Sequence, residues 1–195
     1  RAKSYETELS VLFFALDDFK RVNDMFGHLA GYLVLKDAGQ IIKNEIRAED
    51  SAARYGGEEF VVILPQTGKV DALILSERIR KKVESLNLNY EDNNIQVTIS
   101  GGLASFPIDA QTKNDLLNYA DRALYRAKEF GKNEVVAYSH NKRRYIRISF
   151  NGSINIRQIG ESLGVASYPA NGKNISKTGL LFESDVFLEI GTKVE

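Results

Sequence analysis

The sequence predicts an α/β chain, an α+β sandwich of helices on a central sheet, followed by a partial all-β segment. Three observations carry that reading. Short apolar runs alternate with stretches whose apolar residues recur every three or four positions. Glycine pairs, Gly56-Gly57 and Gly101-Gly102, punctuate the alternation. Beyond residue 139 helical spacing stops and turn residues crowd together.

Leu9 to Leu16 is almost wholly apolar and reads as a central strand of a covered sheet. Asp17 to Ala30 reads as a loop, followed by a helix carrying Leu35, Ala38, Ile42 and Ile46. The Gly56-Gly57 turn leads into a strand over Phe60 to Leu64. Ala72, Leu75, Ile79 and Val83 mark a second helix, and Leu117, Ala120, Leu124 and Ala127 a third. Between them Asn94 to Ser100 alternates as a strand, and Gly101-Gly102 marks a bulge or a close backbone approach. Glu134 to Tyr138 is a short last strand. Tyr145 to Ser149 opens the all-β segment, with turns at Asn151-Gly152, Pro169, Asn171-Gly172 and Gly179. The domains are therefore 1–139 and 140–195.

Composition narrows the function classes. With 195 residues, 43% hydrophobic and 27% charged, the chain can bury a core as one or two domains. Its net charge is zero, which argues against a general nucleic-acid or membrane-surface binder. It has no cysteine, so disulfides and thiolate metal sites are excluded, and a cytoplasmic location is expected. No apolar run approaches membrane-spanning length. The chain opens on Arg1-Ala2-Lys3 rather than Met, and is expected to be a piece of a longer protein.

The residues that point to chemistry are Arg54-Tyr55-Gly56-Gly57-Glu58-Glu59-Phe60. Paired glycines allow a tight turn and let a phosphate approach with no Cβ in the way. Glutamates just after them can hold a hard cation such as Mg²⁺ against that phosphate. A plain β-hairpin with its acids facing water fits the same residues.

Further segments accompany that turn: Asp17-Asp18-Phe19-Lys20-Arg21-Val22-Asn23-Asp24, Gly27-His28, and Ala120-Asp121-Arg122-Ala123-Leu124-Tyr125-Arg126-Ala127-Lys128. In this order, residues 1–139 resemble a GGDEF domain, the diguanylate cyclase family, which condenses two GTP into cyclic di-GMP. The resemblance implies a nucleotidyl cyclase or palm-like sheet with flanking helices. It implies that Gly56 and Gly57 turn over the GTP phosphates and that Glu58 binds metal together with the Leu16 backbone. Glu59 would support the site and help activate the 3′-hydroxyl. Phe19 and Lys20 would line the phosphate loop, Asn23 would read guanine, and Lys128 and Lys132 would contact the terminal phosphates.

Two positions depart from the family pattern. Ala15 stands where the family has its principal metal-binding Asp, and Tyr32 where an Asp recognises guanine. Loss of a metal carboxylate removes charge stabilisation that two-metal phosphoryl transfer depends on. A phenol in place of the base-reading carboxylate weakens base selection. Asp17 lies on the same strand face as Ala15, roughly 6–7 Å along, and is the candidate replacement ligand. A catalytically weak or inactive domain is expected. A working cyclase with product feedback, and a non-enzymatic dimerisation scaffold, are the alternatives.

The family's regulatory Arg-x-x-Asp is present as Arg47-Ala48-Glu49-Asp50, with Arg78 matching an additional arginine on the next helix. These residues would bind cyclic di-GMP; a surface ion pair between Arg47 and Asp50 is the plainer alternative. The C-terminal segment resembles the start of a PilZ domain, a cyclic di-GMP receptor. Arg143, Arg144 and Arg147 would clamp phosphate and stack on guanine, Asn174 and Ser176 would hydrogen-bond a base edge, and Gly179 would leave room for the ligand. His28 and His140 read as structural. The partners implied are cyclic di-GMP, GTP with Mg²⁺, and a second copy or another signalling protein.

Overall fold

The structure, a computed structural model, describes residues 7–140, 148–157, 167–176 and 179–185. It divides into two compact units, Arg1–Lys142 and Arg143–Glu195.

In the first unit a five-stranded sheet has the order β2-β3-β1-β6-β7. Its strands are β1 (Leu9–Leu16), β2 (Ser51–Gly56), β3 (Glu59–Pro65), β6 (Ile99–Phe106) and β7 (Val135–Ala137). All neighbours are antiparallel except β6 and β7. The three helices are α1 (Phe19–Glu45), α2 (Lys69–Glu84) and α3 (Lys113–Glu129). A small hairpin, β4 (Leu88–Tyr90) with β5 (Asn93–Ile95), stands apart from the main sheet.

Strand β1 is central and buried on both faces, as its apolar run requires. Val11, Phe13 and Ala15 face a cluster built with Leu116, Ala120, Leu124 and Ala127 of α3. Leu12, Phe14 and Leu16 point to the opposite face, and all three are at most 2% exposed. On that side α1 crosses the sheet, its Gly39 lying against the Phe60 ring. α3 begins at a true cap: the Thr112 hydroxyl accepts from the Asp115 amide at 3.1 Å.

Two expectations for this unit need correction. Asp17 to Ala30 is not a loop, because α1 starts at Phe19 and runs through, interrupted only at Gly27 (φ 82°, ψ 164°). Phe19 and Val22 are buried, so this first stretch carries its own apolar stripe. Asn94 to Ser100 is not one strand: β5 ends at Ile95 and β6 begins at Ile99. The chain changes partners there because the Thr98 carbonyl accepts from the Asp17 amide at 2.9 Å.

In the second unit an antiparallel sheet has the order β10-β9-β8, from β8 (Ile148–Arg157), β9 (Ser167–Ser176) and β10 (Gly179–Glu183). Asn151-Gly152, Pro169 and Asn171-Gly172 therefore lie inside strands rather than in turns. Register shifts between Ser149 and Gly152 and between Leu181 and Phe182 absorb the irregular residues as bulges. Pro169 is tolerated in the middle strand because pairing with β10 ends at Asn171, which leaves one side of Pro169 without a ladder partner among the described residues. Among the described residues this sheet is not closed into a barrel.

Candidate functional site

The Gly-Gly segment forms the β2–β3 hairpin, with Gly57-Glu58 as its two-residue turn between the paired residues Gly56 and Glu59. Arg54 clamps that turn, its Nε and Nη2 donating to the Gly57 carbonyl at 2.9 and 2.6 Å. Neither glycine has a positive φ. A Cβ on Gly57 would meet nothing within 4 Å, and one on Gly56 only the Glu59 carboxylate at 3.7 Å. The fold itself therefore does not demand glycine here, which leaves an open approach for an external group.

The hairpin tip is tied to the end of β1. The Leu16 amide donates to the Glu58 carbonyl at 3.2 Å, and Ala15 is the register partner of Glu59 on one side and Ser100 on the other. Glu58 and Glu59 are half-buried. Ala15 has no exposed surface, and its methyl belongs to the apolar cluster under α3.

Asp17, the candidate replacement ligand, is already engaged. Its side chain is buried and accepts from the Thr98 hydroxyl at 2.7 Å, the Ser100 hydroxyl at 2.7 Å and the Asn133 amide at 3.0 Å. Three donors hold it toward β6 and the turn after α3, so it is a structural tie and not a candidate metal ligand. Among the described residues no three His, Cys, Asp or Glu side chains group closely enough to hold a metal ion. The donor set thus fits at most a cation that arrives with a nucleotide's own phosphates, with Glu58 as a protein carboxylate beside it.

Phe19 opens α1 and is buried, and Lys20 beside it is exposed. Asn23 packs directly over Gly31, where a Cβ would fall 2.0 Å from its Oδ1. Across the break at Gly27 these two residues come together, and Tyr32 follows with 58% of its surface exposed. Lys128 lies half-buried in the last turn of α3. Lys132 pairs with Asp18 at 2.5 Å, and that carboxylate lifts its ammonium above the ordinary lysine value. Both partners have left-handed backbone, Asp18 at φ 52° and Lys132 at φ 66°.

The Arg-x-x-Asp residues and Arg78 come together at a second place. Arg47, Asp50 and Arg78 line a cavity of about 300 Å³ with Glu45 and Asp71, and Arg47 and Asp50 also line a neighbouring cavity of about 740 Å³. The plainer alternative, a side-chain ion pair between Arg47 and Asp50, is not formed. Asp50 Oδ2 instead accepts from the Arg47 backbone amide at 2.8 Å, and its Oδ1 is buried with no hydrogen-bond partner among the described residues. Arg78 Nε donates to Glu45 Oε2 at 2.5 Å, and its Nη2 to the Glu45 carbonyl at 3.2 Å. Lys82 donates to the other Glu45 oxygen. The Lys82 ammonium, opposed by burial and reinforced by Arg78, keeps the Glu45 carboxyl below its ordinary value.

Sequence reasoning did not single out Glu45 or Lys82. A signal for them existed: an acid at the C-terminal end of a helix opposes the helix dipole, so Glu45 requires cations from elsewhere. Arg78 and Lys82, one turn apart on α2, were the available pair.

Arg143, Arg144 and Arg147 lie outside the described residues. Asn174 and Ser176 fall in β9, Asn174 in register with Ser149 and Leu181, and Ser176 is paired with Gly179 at the start of β10. His140 is structural: its Nε2 is 2.9 Å from the Asp109 carbonyl, and its ring meets Tyr119 and Tyr138 edge-on. His28 is exposed on α1.

These features agree with comparison to known proteins. The chain is 44% identical over 133 residues to Diguanylate cyclase A of Treponema denticola, a match covering 68% of this chain and 36% of that protein. It therefore spans about a third of that relative's length. The GGDEF domain of DgcB from Caulobacter crescentus, solved in complex with c-di-GMP, superposes with a TM-score of 0.67 at 31% identity, covering 70% of this chain and 81% of that one. The active GGEEF domain of a diguanylate cyclase from Vibrio cholerae gives 0.67 at 30% identity, covering 72% of this chain and 89% of that one. The family model described as "Diguanylate cyclase, GGDEF domain" matches residues 1–134, and over that span the chain belongs to the GGDEF family.

Proposed function

We propose that this chain is a cyclic di-GMP signalling module whose GGDEF domain binds the dinucleotide through Arg47, Asp50 and Arg78 but is catalytically weak or inactive. One observation carries the binding reading: Asp50 lines a cavity together with Arg47 and Arg78, and its Oδ1 is buried without a hydrogen-bond partner among the described residues. A guanine N–H edge supplies the donor that carboxylate lacks, and arginine both grips phosphate and stacks on a base. Calorimetry of the whole chain with cyclic di-GMP tests this. Binding that Arg47→Ala weakens at least about tenfold is expected; binding indifferent to Arg47 and Asp50 would refute it.

The catalytic deficit rests on Ala15. Where two cations must be held against a triphosphate, β1 offers a buried methyl, and Asp17 is engaged by three other donors. Mg²⁺ bound with GTP would supply charge neutralisation at the phosphates. On the protein side, Gly56 and Gly57 leave room for the phosphates, Lys20, Lys128 and Lys132 offer countercharge, and Asn23 faces the base. Tyr32 weakens guanine selection, so GTP binds, if retained, as an effector. The working-cyclase reading draws on the intact hairpin with Glu58 and Glu59 and on the likeness to the Vibrio cholerae GGEEF domain. It requires a carboxylate that position 15 does not provide.

The C-terminal segment is read as the start of a PilZ receptor, with Arg143, Arg144, Arg147, Asn174, Ser176 and Gly179 forming a second cyclic di-GMP site. Association with a second copy or with another signalling protein completes the proposal. A purely structural scaffold is the outcome that an absence of binding heat would favour.

A further inference from the structure

We propose that Glu45 is a built-in competitor for Arg78, and that Lys82 keeps Glu45 neutralised when Arg78 turns to a bound dinucleotide. The inference rests on reading Arg47, Asp50 and Arg78 as that ligand's site.

Glu45 closes α1 two residues before Arg47, and its side chain is only 9% exposed. Each carboxylate oxygen has its own cation, Arg78 on Oε2 and Lys82 on Oε1. Arg78 is committed twice, since its Nε and Nη2 both donate to Glu45. A bidentate grip on a phosphate uses the same fork of N–H groups, so ligand and Glu45 exclude one another at this guanidinium. The exposures differ between the partners: the Arg78 and Lys82 side chains are 52% and 55% exposed and have solvent to swing into, whereas that of Glu45 is 9% exposed. A buried carboxylate stripped of every cation is strongly unfavourable. Lys82 removes that obstacle by remaining on Oε1 while Arg78 departs.

The test is a double-mutant cycle read by calorimetry with cyclic di-GMP on the whole chain, with Arg47→Ala marking which heat belongs to this site. Glu45→Gln is expected to tighten the Arg47-dependent binding about 3- to 30-fold while lowering the melting temperature; damage from a purely structural pair would weaken both. Lys82→Met, an exposed position, is expected to weaken binding about 3- to 10-fold, and to have no effect in the Glu45→Gln background. Arg47-dependent binding that Glu45→Gln leaves unchanged or weakens, or a Lys82→Met effect that persists in that background, overturns the inference and leaves the site itself standing. If Glu45→Gln does not fold, Lys82→Met alone decides: unchanged affinity overturns the proposal. Absence of any Arg47-dependent heat in wild type and Glu45→Gln alike removes the site and the inference together.

Discussion

At the scale of single residues, Ala15 is enclosed between Glu59 and Ser100 and under the apolar face of α3. Restoring a carboxylate there places a charge where nothing now solvates it. Ala15→Asp is expected to cost about 2 to 4 kcal/mol in urea unfolding, with part of the loss recovered by Mg²⁺ and GTP. Tyr32→Asp, at an exposed position, is expected to change stability by less than about 0.5 kcal/mol. The two changes together are expected to bring a gain of cyclase activity. Glu45 gives a pH prediction. Its carboxyl is held below the ordinary value of 4.5, so its ion pairs stabilise the fold fully above that value and cease to as pH falls through the lower, folded one. The stability gap between wild type and Glu45→Gln should therefore narrow on acidification below about pH 4.5; a gap that widens would contradict the assignment. The substitutions at 15 and 32 were legible in the sequence because both sit inside recognisable motifs. The fate of Asp17 was not. Its donors lie 81, 83 and 116 residues away, at Thr98, Ser100 and Asn133, and only the folded sheet brings them to it.

At the scale of elements, two glycines set the geometry for opposite reasons. Gly27 breaks α1 with φ 82° and ψ 164°, a region essentially reserved for glycine, in open space, so Gly27→Ala should cost about 1 to 3 kcal/mol from backbone strain alone. Gly102 is ordinary in φ but lies directly beneath α3, where a Cβ would sit 2.1 Å from the Leu124 amide nitrogen and 2.2 Å from the Ala120 carbonyl. Gly102→Ala should therefore exceed about 4 kcal/mol or prevent folding, checked by the yield and melting temperature of the purified chain. The close approach at Gly101-Gly102 was readable as such from two glycines at the end of an alternating run. The helix through residues 19 to 26 was not, because Gly27 and the polar residues around it mimic a loop while Phe19 and Val22 bury a narrow stripe. The turn signals in the C-terminal segment misled for a related reason: bulges and the end of β10 let Gly152, Gly172 and Pro169 sit within strands.

For the molecule as a whole, the central sheet and its three helices follow from periodicity, and four motif segments in order indicate the family. Charge and composition add little beyond excluding broad classes. The residues on which the proposal rests fall in two places: the hairpin with Gly56, Gly57, Glu58 and Glu59, which faces Ala15 on β1, and the cavity lined by Arg47, Asp50 and Arg78. The most direct measurement is incubation of the purified chain with GTP and Mg²⁺, followed by chromatography of the nucleotides. The account predicts GTP recovered essentially unchanged, with cyclic di-GMP accumulating only after Ala15→Asp and Tyr32→Asp. Steady turnover of GTP to cyclic di-GMP by the unaltered chain would contradict it.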